Sequence, residues 1–168
     1  MSIAIVTGSN GLVGAEATNF FCDKGFDVVG IDNNLRSFFF GKDGSTTWVN
    51  KKLRKRNKKF KHFNIDIRNY NNLEKVFKYY KKNISLIIHC AAQPSHDYGK
   101  KYPFLDFHVN ATGTLNMLEL TKKFCPSAPF IFMSTNKVYG NNPNNLDFVE
   151  TKKRWELKKK DKHFIGID

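Results

Sequence analysis

A glycine-rich turn between a short apolar run and a helical pattern is the most constraining feature of this 168-residue chain. Glycines stand at positions 8, 11 and 14, soon after residues 3–6, whose apolar run is typical of a parallel strand buried on both faces. In such a turn the first glycine permits the sharp bend, the second admits a pyrophosphate to the backbone, and the third lets the helix pack on the sheet. The helix N-terminus then favours an anion, and a P-loop is excluded because no Gly-Lys-Ser/Thr follows. The turn predicts a dinucleotide site, the alternative being an ordinary turn, and the residues assigned to it are Gly8, Asn10, Gly11, Leu12, Val13 and Gly14.

An aspartate ends the second strand-like run. Asp32 follows the third glycine by 18 residues, where a carboxylate accepts hydrogen bonds from the adenosine ribose hydroxyls. This favours NAD over NADP as the cofactor, because the carboxylate would repel a 2′-phosphate, although Arg36 nearby leaves NADP open. Asn33, Asn34 and Arg36 complete this part of the predicted cofactor site. The alternative for Asp32 is a turn-forming aspartate before the two asparagines.

Strand and helix patterns alternate along the chain. Strand-like runs occur at residues 3–6, 28–32, 60–67, 86–88 and 130–133. Helical spacing occurs at residues 12–24, 73–80 and 104–124, and the apolar positions of the first helix are Leu12, Val13, Ala17, Phe20 and Phe21. Crossovers of this length predict an α/β fold, a Rossmann-like doubly wound parallel sheet in three α/β/α layers.

The net charge of +13 lies in two basic segments. Residues 51–62 hold eight lysines or arginines and no acid, and residues 152–162 hold seven basic and two acidic residues. Such runs bind polyanions in some proteins but are more often solvated surfaces. Nucleic acid is therefore the less favoured partner.

Cysteine usage and hydropathy indicate a cytoplasmic protein without a membrane partner. Cys22, Cys90 and Cys125 are odd in number, far apart and set in apolar sequence, as reduced thiols usually are. We expect no signal peptide, because the first residues lack its features, and no apolar stretch reaches membrane-spanning length. The five histidines show no metal-ligand spacing, so no metal is expected.

Five motifs together resemble the extended short-chain dehydrogenases and reductases that act on nucleotide sugars, the NAD-dependent epimerases and dehydratases. The motifs, which are spread over the whole chain, are residues 7–14, 66–68, 89–92, 110–114 and 134–140. Residues 91–97 and 134–140 more narrowly resemble the CDP-paratose 2-epimerase branch. The resemblance implies that NAD oxidises a sugar carbon to a ketone and that the hydride then returns to the opposite face.

The resemblance also implies further cofactor contacts. Asp66 and Ile67 would meet the adenine edge, with a helix-capping aspartate as the alternative. Ala91, Ala92 and Gln93 would border the cofactor at the carboxyl end of the fourth strand, where doubly wound sheets bind ligands.

Four more positions bear on the predicted site and its reaction. Asn110 would hydrogen-bond a neighbouring loop near the site, unless it is a plain buried polar residue. Thr135 is the predicted catalytic residue, which would orient the reacting sugar hydroxyl, the alternative being a strand-end threonine bonded to the backbone. Asn136 and Lys137 stand where the family's dehydratases carry two acids. Elimination would lack its proton donor and base, so epimerisation is favoured.

The family's proton-transferring pair, a tyrosine with a lysine four residues later, does not occur at any of the six tyrosines. We therefore expect an incomplete chain, with residues 1–140 forming an NAD-binding Rossmann domain and residues 141–168 leading toward an absent catalytic and sugar-binding part. Such a chain would bind NAD without catalysing the reaction alone. Its fifth strand would present an apolar edge unless the tail covers it.

The expected partners are a nucleotide-sugar substrate and, in the full-length enzyme, a second copy of the chain. Three alternatives stay open for the function. They are a non-catalytic NAD-binding module or remnant, another dehydratase or reductase of the family, and a nucleic-acid binder that uses residues 51–61.

Overall fold

The computed structural model describes residues 2–93 and 95–165, and of Asn136 and Lys137 it describes the backbone alone. The chain divides into two compact units, Met1–Met133 and Ser134–Asp168. The sequence-based expectation placed this division at residue 140. No helix within the described ranges is long and apolar enough to cross a membrane.

A five-stranded parallel sheet forms the centre of the first unit and confirms the predicted fold class. Its strands are β1 (Ile3–Thr7), β2 (Asp27–Ile31), β3 (Phe60–Phe63), β4 (Ile84–His89) and β5 (Phe130–Phe132). The strand order is β3-β2-β1-β4-β5, so the chain moves outward from β1 to β3 and then returns past β1 to β4. This reversal is the topological switch point of a doubly wound sheet, which opens a crevice at the carboxyl ends of β1 and β4.

Helices cover both faces of this sheet. They are α1 (Leu12–Asp23), α2 (Arg36–Phe40), α3 (Thr47–Arg56), α4 (Tyr70–Tyr80), α5 (His96–Lys101), α6 (Pro103–Phe107) and α7 (Gly113–Phe124). Ile3 and Ile5 of β1 point into an apolar cluster that includes residues of α4 and α7. Ala4 and Val6, which alternate with them, point into a second cluster with Leu53 of α3 and side chains of α1. The alternation produces the predicted three layers.

The face that α1 turns to the sheet includes only part of the predicted apolar positions. Gly14 and Thr18 are buried, whereas Leu12 is 87% exposed and Phe20 is 55% exposed. The close approach of Gly14 to the backbone of Gly8 decides which side of the helix faces inward. Residues one helical turn from Gly14 share its face. Of the predicted apolar positions, Ala17 and Phe21 pack against the second cluster, whereas Val13 is exposed together with Leu12 and Phe20.

Several other elements also depart from the sequence-based prediction. The third strand ends at Phe63, not at residue 67. The connection before it contains α2 and α3, and α5 precedes α6. The helix predicted over residues 104–124 is interrupted by a π-helical turn, His108–Thr112. After that turn, Gly113 allows α7 to approach Ile67, because a β-carbon on Gly113 would lie 2.5 Å from the Cδ1 atom of Ile67.

The fifth strand is the edge of the described sheet. Ile131, Phe132 and Met133 are all more than two fifths exposed, so the predicted apolar edge is present on the first unit.

The second unit contains little regular structure. Its strands β6 (Phe148–Glu150) and β7 (Trp155–Leu157) pair antiparallel, with Val149 opposite Glu156. The backbone N–H of Thr151 and the carbonyl of Arg154 close the turn between them at 2.9 Å.

Candidate functional site

A crevice lies at the carboxyl ends of the central strands, where the strand order reverses. Its walls come from the glycine turn after β1, from the segment after β2, from residues 65–67 after β3, and from residues 90–92 after β4. All the residues that line it belong to the first unit. The sheet topology therefore brings together four segments that are far apart in the sequence.

Two glycines of the turn are required by contacts with the backbone. Gly8 has φ +65°, and a β-carbon there would lie 2.8 Å from the amide nitrogen of Ala91. A β-carbon on Gly14 would lie 2.0 Å from the carbonyl oxygen of Gly8. The turn is closed by the Gly11 N–H, which donates to that same oxygen at 2.9 Å. Larger residues at positions 8 and 14 would displace either the turn or the helix.

The N-terminus of α1 opens on the crevice. Its N-cap residue is Gly11, which supplies no capping side chain, and its first turn carries no acid. Gly11, Leu12, Val13 and Gly14 all line the crevice. The first N–H groups of a helix have no partner within the helix, and together with the helix dipole they favour a bound anion. This end of α1 therefore suits a phosphate group.

Asp32 lines the crevice at the end of β2. One carboxylate oxygen accepts from the Asn10 N–H at 3.0 Å and the other accepts from the Asn34 N–H at 2.8 Å. The second bond is the turn contact that stood as the alternative for this residue, so Asp32 both forms the turn and faces the crevice. The two backbone donors fix the orientation of a carboxylate whose remaining lone pairs can accept from hydroxyls.

Two asparagines in the predicted cofactor site do not line the crevice. Asn10 is 3% exposed and its side chain contacts His62 and Asn50. Asn34 has φ +56°, and its amide bonds the segment that leads into α3, with its side-chain oxygen accepting from Thr46 N–H at 2.8 Å. Both side chains hold neighbouring segments in place.

Asn33 and Arg36 do line the crevice, beside Asp32. The Asn33 amide donates to Asp66 at 2.9 Å and so links the segments after β2 and β3. The Arg36 guanidinium lies over the ring of Phe40, with 4.8 Å between its central carbon and the ring centroid. A cation therefore stands near Asp32, as the sequence suggested.

Asp66 and Ile67 lie together on the wall of the crevice after β3. Burial alone would raise the pKa of Asp66, but hydrogen bonds from Arg68 outweigh it and lower the pKa. The carboxylate is therefore ionised and paired. The cap of α4 is Asn69, which accepts from Asn72 N–H at 3.0 Å, so the capping alternative for Asp66 is not what the structure shows.

The segment after β4 divides into a lining part and a supporting part. Ala91 and Ala92 line the crevice, and the backbone of Ala91 lies so close to Gly8 that position 8 has no room for a side chain. Gln93 is 6% exposed and does not line it; its amide donates to Asp106 at 2.7 Å. The side-chain oxygen of Asn110 accepts from the Gln93 N–H at 2.9 Å. Asn110 thus bonds the neighbouring loop and does not itself line the crevice.

His89 is the centre of a buried relay of hydrogen bonds. Ala91 N–H donates to the Thr7 hydroxyl at 3.1 Å, and that hydroxyl lies 2.7 Å from Nδ1 of His89. On the other side Nε2 lies 3.0 Å from the Thr114 hydroxyl, which donates to the Asn110 carbonyl at 2.6 Å. Since the Thr114 proton is used there, Nε2 must donate and Nδ1 must accept. With the ring neutral and its proton on Nε2, every donor and acceptor in the relay has a hydrogen-bond partner. The relay joins β1, β4 and the π-helical turn.

The relay makes folding stability depend on pH below neutrality. Burial lowers the pKa of His89 to about 4 from its ordinary 6.5. Between these two pH values His89 is protonated in the unfolded chain but neutral in the folded chain. The free energy of unfolding therefore falls as the pH drops from about 6.5 to about 4, by about 3 kcal/mol at most. Urea unfolding across this range should show a weaker pH dependence for His89→Gln than for the unaltered chain. The exposed His96 provides the control, because His96→Gln should leave the slope unchanged; equal slopes for all three proteins would contradict the assignment.

Residues of the second unit that the sequence analysis singled out are placed as follows. Thr135 is exposed and precedes a short 3-10 helix, Asn136–Tyr139. The side chains of Asn136 and Lys137 lie outside the described part of the structure. The catalytic role of Thr135 stays a prediction.

The basic segment at residues 51–62 forms the exposed side of α3 and continues into β3. Within the described ranges, Arg56 is the one member of this segment with an acidic partner, Asp23 at 2.9 Å. The described residues contain no group of three or more potential metal ligands. Cys90 lines the crevice, and burial raises the pKa of its thiol to about 11, so it is not a thiolate nucleophile.

Comparison with known proteins shows similarity over most of the chain. The GDP-mannose 4,6 dehydratase family matches residues 5–155. The chain is 32% identical over 144 residues to a UDP-glucuronate 4-epimerase of Thermodesulfobacterium geofontis, covering 85% of this chain and 42% of that protein. It is 31% identical over 137 residues to CDP-paratose 2-epimerase of Salmonella typhi, covering 82% and 38%. The chain thus spans about two fifths of the length of these curated relatives.

Solved structures show the same fold. The UDP-glucose 4-epimerase from Bifidobacterium longum, in complex with NAD+ and UDP, superposes with a TM-score of 0.71 at 23% identity. The superposition covers 94% of this chain and 43% of that one.

Proposed function

This chain belongs to the GDP-mannose 4,6 dehydratase family, within the extended short-chain dehydrogenases and reductases, and we propose that it forms the NAD-binding part of a nucleotide-sugar epimerase. The observation that carries the proposal is the crevice in which the open N-terminus of α1 and the carboxylate of Asp32 face the same space. When bound there, NAD supplies the acceptor and donor of a hydride.

The residues of the crevice fit the parts of a dinucleotide. Gly11 and the first N–H groups of α1 would hold the pyrophosphate, and Asp32 would accept from the adenosine ribose hydroxyls. Asp66 and Ile67, on the wall after β3, would border the adenine. Ala91 and Ala92 leave room at the end of β4 for the second ribose. The glycine turn supports this assignment, because side chains at positions 8 and 14 would meet backbone atoms.

Epimerisation is favoured over dehydration by the residues after β5. Asn136 and Lys137 replace the acids that elimination would need. In this proposal Thr135 orients the sugar hydroxyl, and the preference for a CDP-sugar rests on residues 91–97. The similarity to CDP-paratose 2-epimerase supports that preference, and the similarity to a UDP-glucuronate 4-epimerase supports the broader class. The competing candidate is a non-catalytic NAD-binding module, which the missing tyrosine and lysine pair favours.

A turnover assay tests the proposal that this chain binds NAD but does not catalyse epimerisation alone. The chain is mixed with NAD and with UDP-glucuronate, UDP-glucose or CDP-paratose, and the sugar protons are followed by NMR. We expect no epimerised product, because this chain carries no Tyr-x-x-x-Lys pair to move the proton. Formation of product would contradict the claim that proton transfer depends on residues outside this chain.

A second copy of the chain is the proposed protein partner. The helical segment from Pro103 to Phe124 exposes a stripe of four large apolar side chains, in two pairs with a spacing of three residues: Phe104 with Phe107, and Leu115 with Leu118. Such a stripe is typical of a helix that packs against another helix. We therefore propose that this stripe pairs with its copy in a homodimer. From the sequence we also propose that the protein is located in the cytoplasm.

Sedimentation equilibrium tests the dimer. Phe107→Glu together with Leu115→Glu should shift the chain from dimer to monomer, because two charges would be buried in the interface. Phe20→Glu changes a phenylalanine of similar exposure on α1 and should leave the mass unchanged. A wild-type chain that is monomeric at all concentrations would contradict the proposal.

A further inference from the structure

The helix α3 turns a cluster of cations and one tryptophan to solvent. Its inner side is formed by Leu53, which is 3% exposed, and by Val49, which packs against the second apolar cluster. At about 3.6 residues per turn, four residues fall within about 100° of one another on the opposite side of the helix. We name them the α3 patch, and they are Trp48, Lys51, Lys52 and Lys55. All four are exposed, and none of them lines the crevice.

The three lysines of the patch have no acidic partner among the residues that the structure describes. Lys51 and Lys55 stand four residues apart and Lys52 and Lys55 three apart, so their like charges repel along the helix. The helix dipole favours cations in the last turn, which accounts for Lys55 but not for Lys51 and Lys52 in the middle of α3. An anion bound to this side of the helix would offset the repulsion.

Trp48 lies in the first turn of α3 and is 65% exposed. Leu53 and Val49 already form the inner side of the helix, so the indole ring is not needed to attach α3 to the sheet. Residues three and four apart are neighbours on a helix surface, and Lys51 and Lys52 therefore flank the tryptophan. The patch thus combines a flat apolar ring with adjacent ammonium groups.

This combination matches the chemistry of one polymer. Single-stranded nucleic acids offer bases that stack on exposed aromatic rings and phosphates that lysines can contact. In a duplex the bases are stacked on one another and are not available to an indole ring. A membrane surface would require a broad apolar face, whereas the apolar side of α3 is buried in the core.

We propose that the α3 patch binds single-stranded RNA, with the ring of Trp48 stacked on a base and the three lysines against phosphates. A basic run alone is more typical of a solvated surface, and the tryptophan among these cations is the observation that favours a ligand. RNA is favoured over DNA because RNA is the nucleic acid that occurs as single strands in the cytoplasm, the location that we propose. This binding is separate from the proposed function, since the patch and the crevice share no residue.

Fluorescence anisotropy of a labelled oligouridylate of about 12 nucleotides, measured over a range of salt concentrations, tests the phosphate contacts. Each such contact of a single strand contributes about 0.7 to the magnitude of the slope of log K against log salt concentration. Lys51→Gln together with Lys55→Gln should therefore reduce that magnitude by about 1.4.

The matched control is Lys75→Gln together with Lys78→Gln. It removes two exposed charges from α4, which packs on the other face of the sheet, and it should leave the slope unchanged. Equal reductions in the two double variants would overturn the proposal, because the RNA would then be attracted by the net charge and not by the patch.

Trp48→Ala tests the stacking contact. We expect the RNA affinity to fall about tenfold or more while the salt slope stays unchanged, because stacking neutralises no phosphate. Tyr79→Ala removes an exposed aromatic side chain from α4 and should change neither quantity. In a Trp155→Phe chain Trp48 is the one tryptophan left, and RNA should quench its fluorescence. A folded Trp48→Ala chain with wild-type RNA affinity would refute the stacking contact and with it the proposal.

Competition with other polyanions tests the choice of ligand. The unaltered chain should bind the oligouridylate more tightly than a duplex RNA of the same length, and phosphatidylserine vesicles should not displace it. Absence of oligouridylate binding, tighter binding of the duplex, or displacement by the vesicles would each contradict the proposal.

Discussion

Gly14→Ala is expected to abolish measurable NAD binding. The new β-carbon would lie 2.0 Å from the carbonyl oxygen of Gly8 and 2.7 Å from its carbonyl carbon. Both are backbone atoms of the turn, so no side-chain rotation relieves the contact, and α1 must move away from Gly8. The N–H groups at its N-terminus then no longer face the crevice. We expect a loss of affinity of at least about a hundredfold, measured by calorimetric titration.

Gly99→Ala provides the matched control for this substitution. A β-carbon there meets its nearest atom, a carboxylate oxygen of Asp106, at 3.4 Å, and the position lies within α5. Its NAD affinity should stay within about threefold of wild type. Circular dichroism distinguishes a displaced turn from an unfolded protein, since the sheet does not depend on the turn alone. Gly14→Ala with wild-type affinity would show that the pyrophosphate is not bound at this turn.

Asp32→Ala is expected to weaken NAD binding about 10- to 100-fold and to remove the preference for NAD over NADP. Hydrogen bonds to a charged group contribute about 1.5–3 kcal/mol each, and the ribose hydroxyls would lose theirs. The carboxylate also orders the turn through the N–H groups of Asn10 and Asn34. Once it is gone, the cation of Arg36 beside the crevice is no longer opposed by the neighbouring carboxylate and favours a 2′-phosphate.

Competition between NAD and NADP measures this change, with two further variants as references. Asp32→Asn keeps the size and one acceptor oxygen but loses the charge, so its NAD affinity should fall between wild type and Asp32→Ala. Asp23→Asn removes an exposed aspartate that pairs with Arg56, and it should have no effect. An unaltered preference for NAD in Asp32→Ala would remove Asp32 from the cofactor site.

Sequence patterns identify the sheet because its strands are buried on both faces. Runs such as residues 3–6 and 86–88 are apolar throughout, and each lies within a strand of the structure. The helix α3 has no such signal: it is dominated by lysine and arginine and buries Leu53 alone. The face of α1 was predicted only in part: Ala17 and Phe21 pack against the core, whereas Leu12 is exposed. The close contact of Gly14 with Gly8 places that side of the helix against the turn, and the count of apolar side chains does not reveal it.

The sequence predicts which residues line the crevice where a residue lies directly after a strand. Gly8, Asp32 and Asp66 each follow a strand directly or closely, and all line the crevice. Gln93 lies beside such residues in sequence, yet its side chain turns away to Asp106. The role of His89 could not be predicted, because it depends on Thr7 and Thr114, which lie 82 and 25 residues away along the chain. Only the folded sheet brings these groups together.

Calorimetric titration of NAD into the wild-type chain tests the central claim most directly. We expect binding of one NAD per chain, tighter than that of NADP, because the crevice with Asp32 and the open end of α1 lies wholly within the first unit. Absence of NAD binding by a chain that circular dichroism shows to be folded would contradict it.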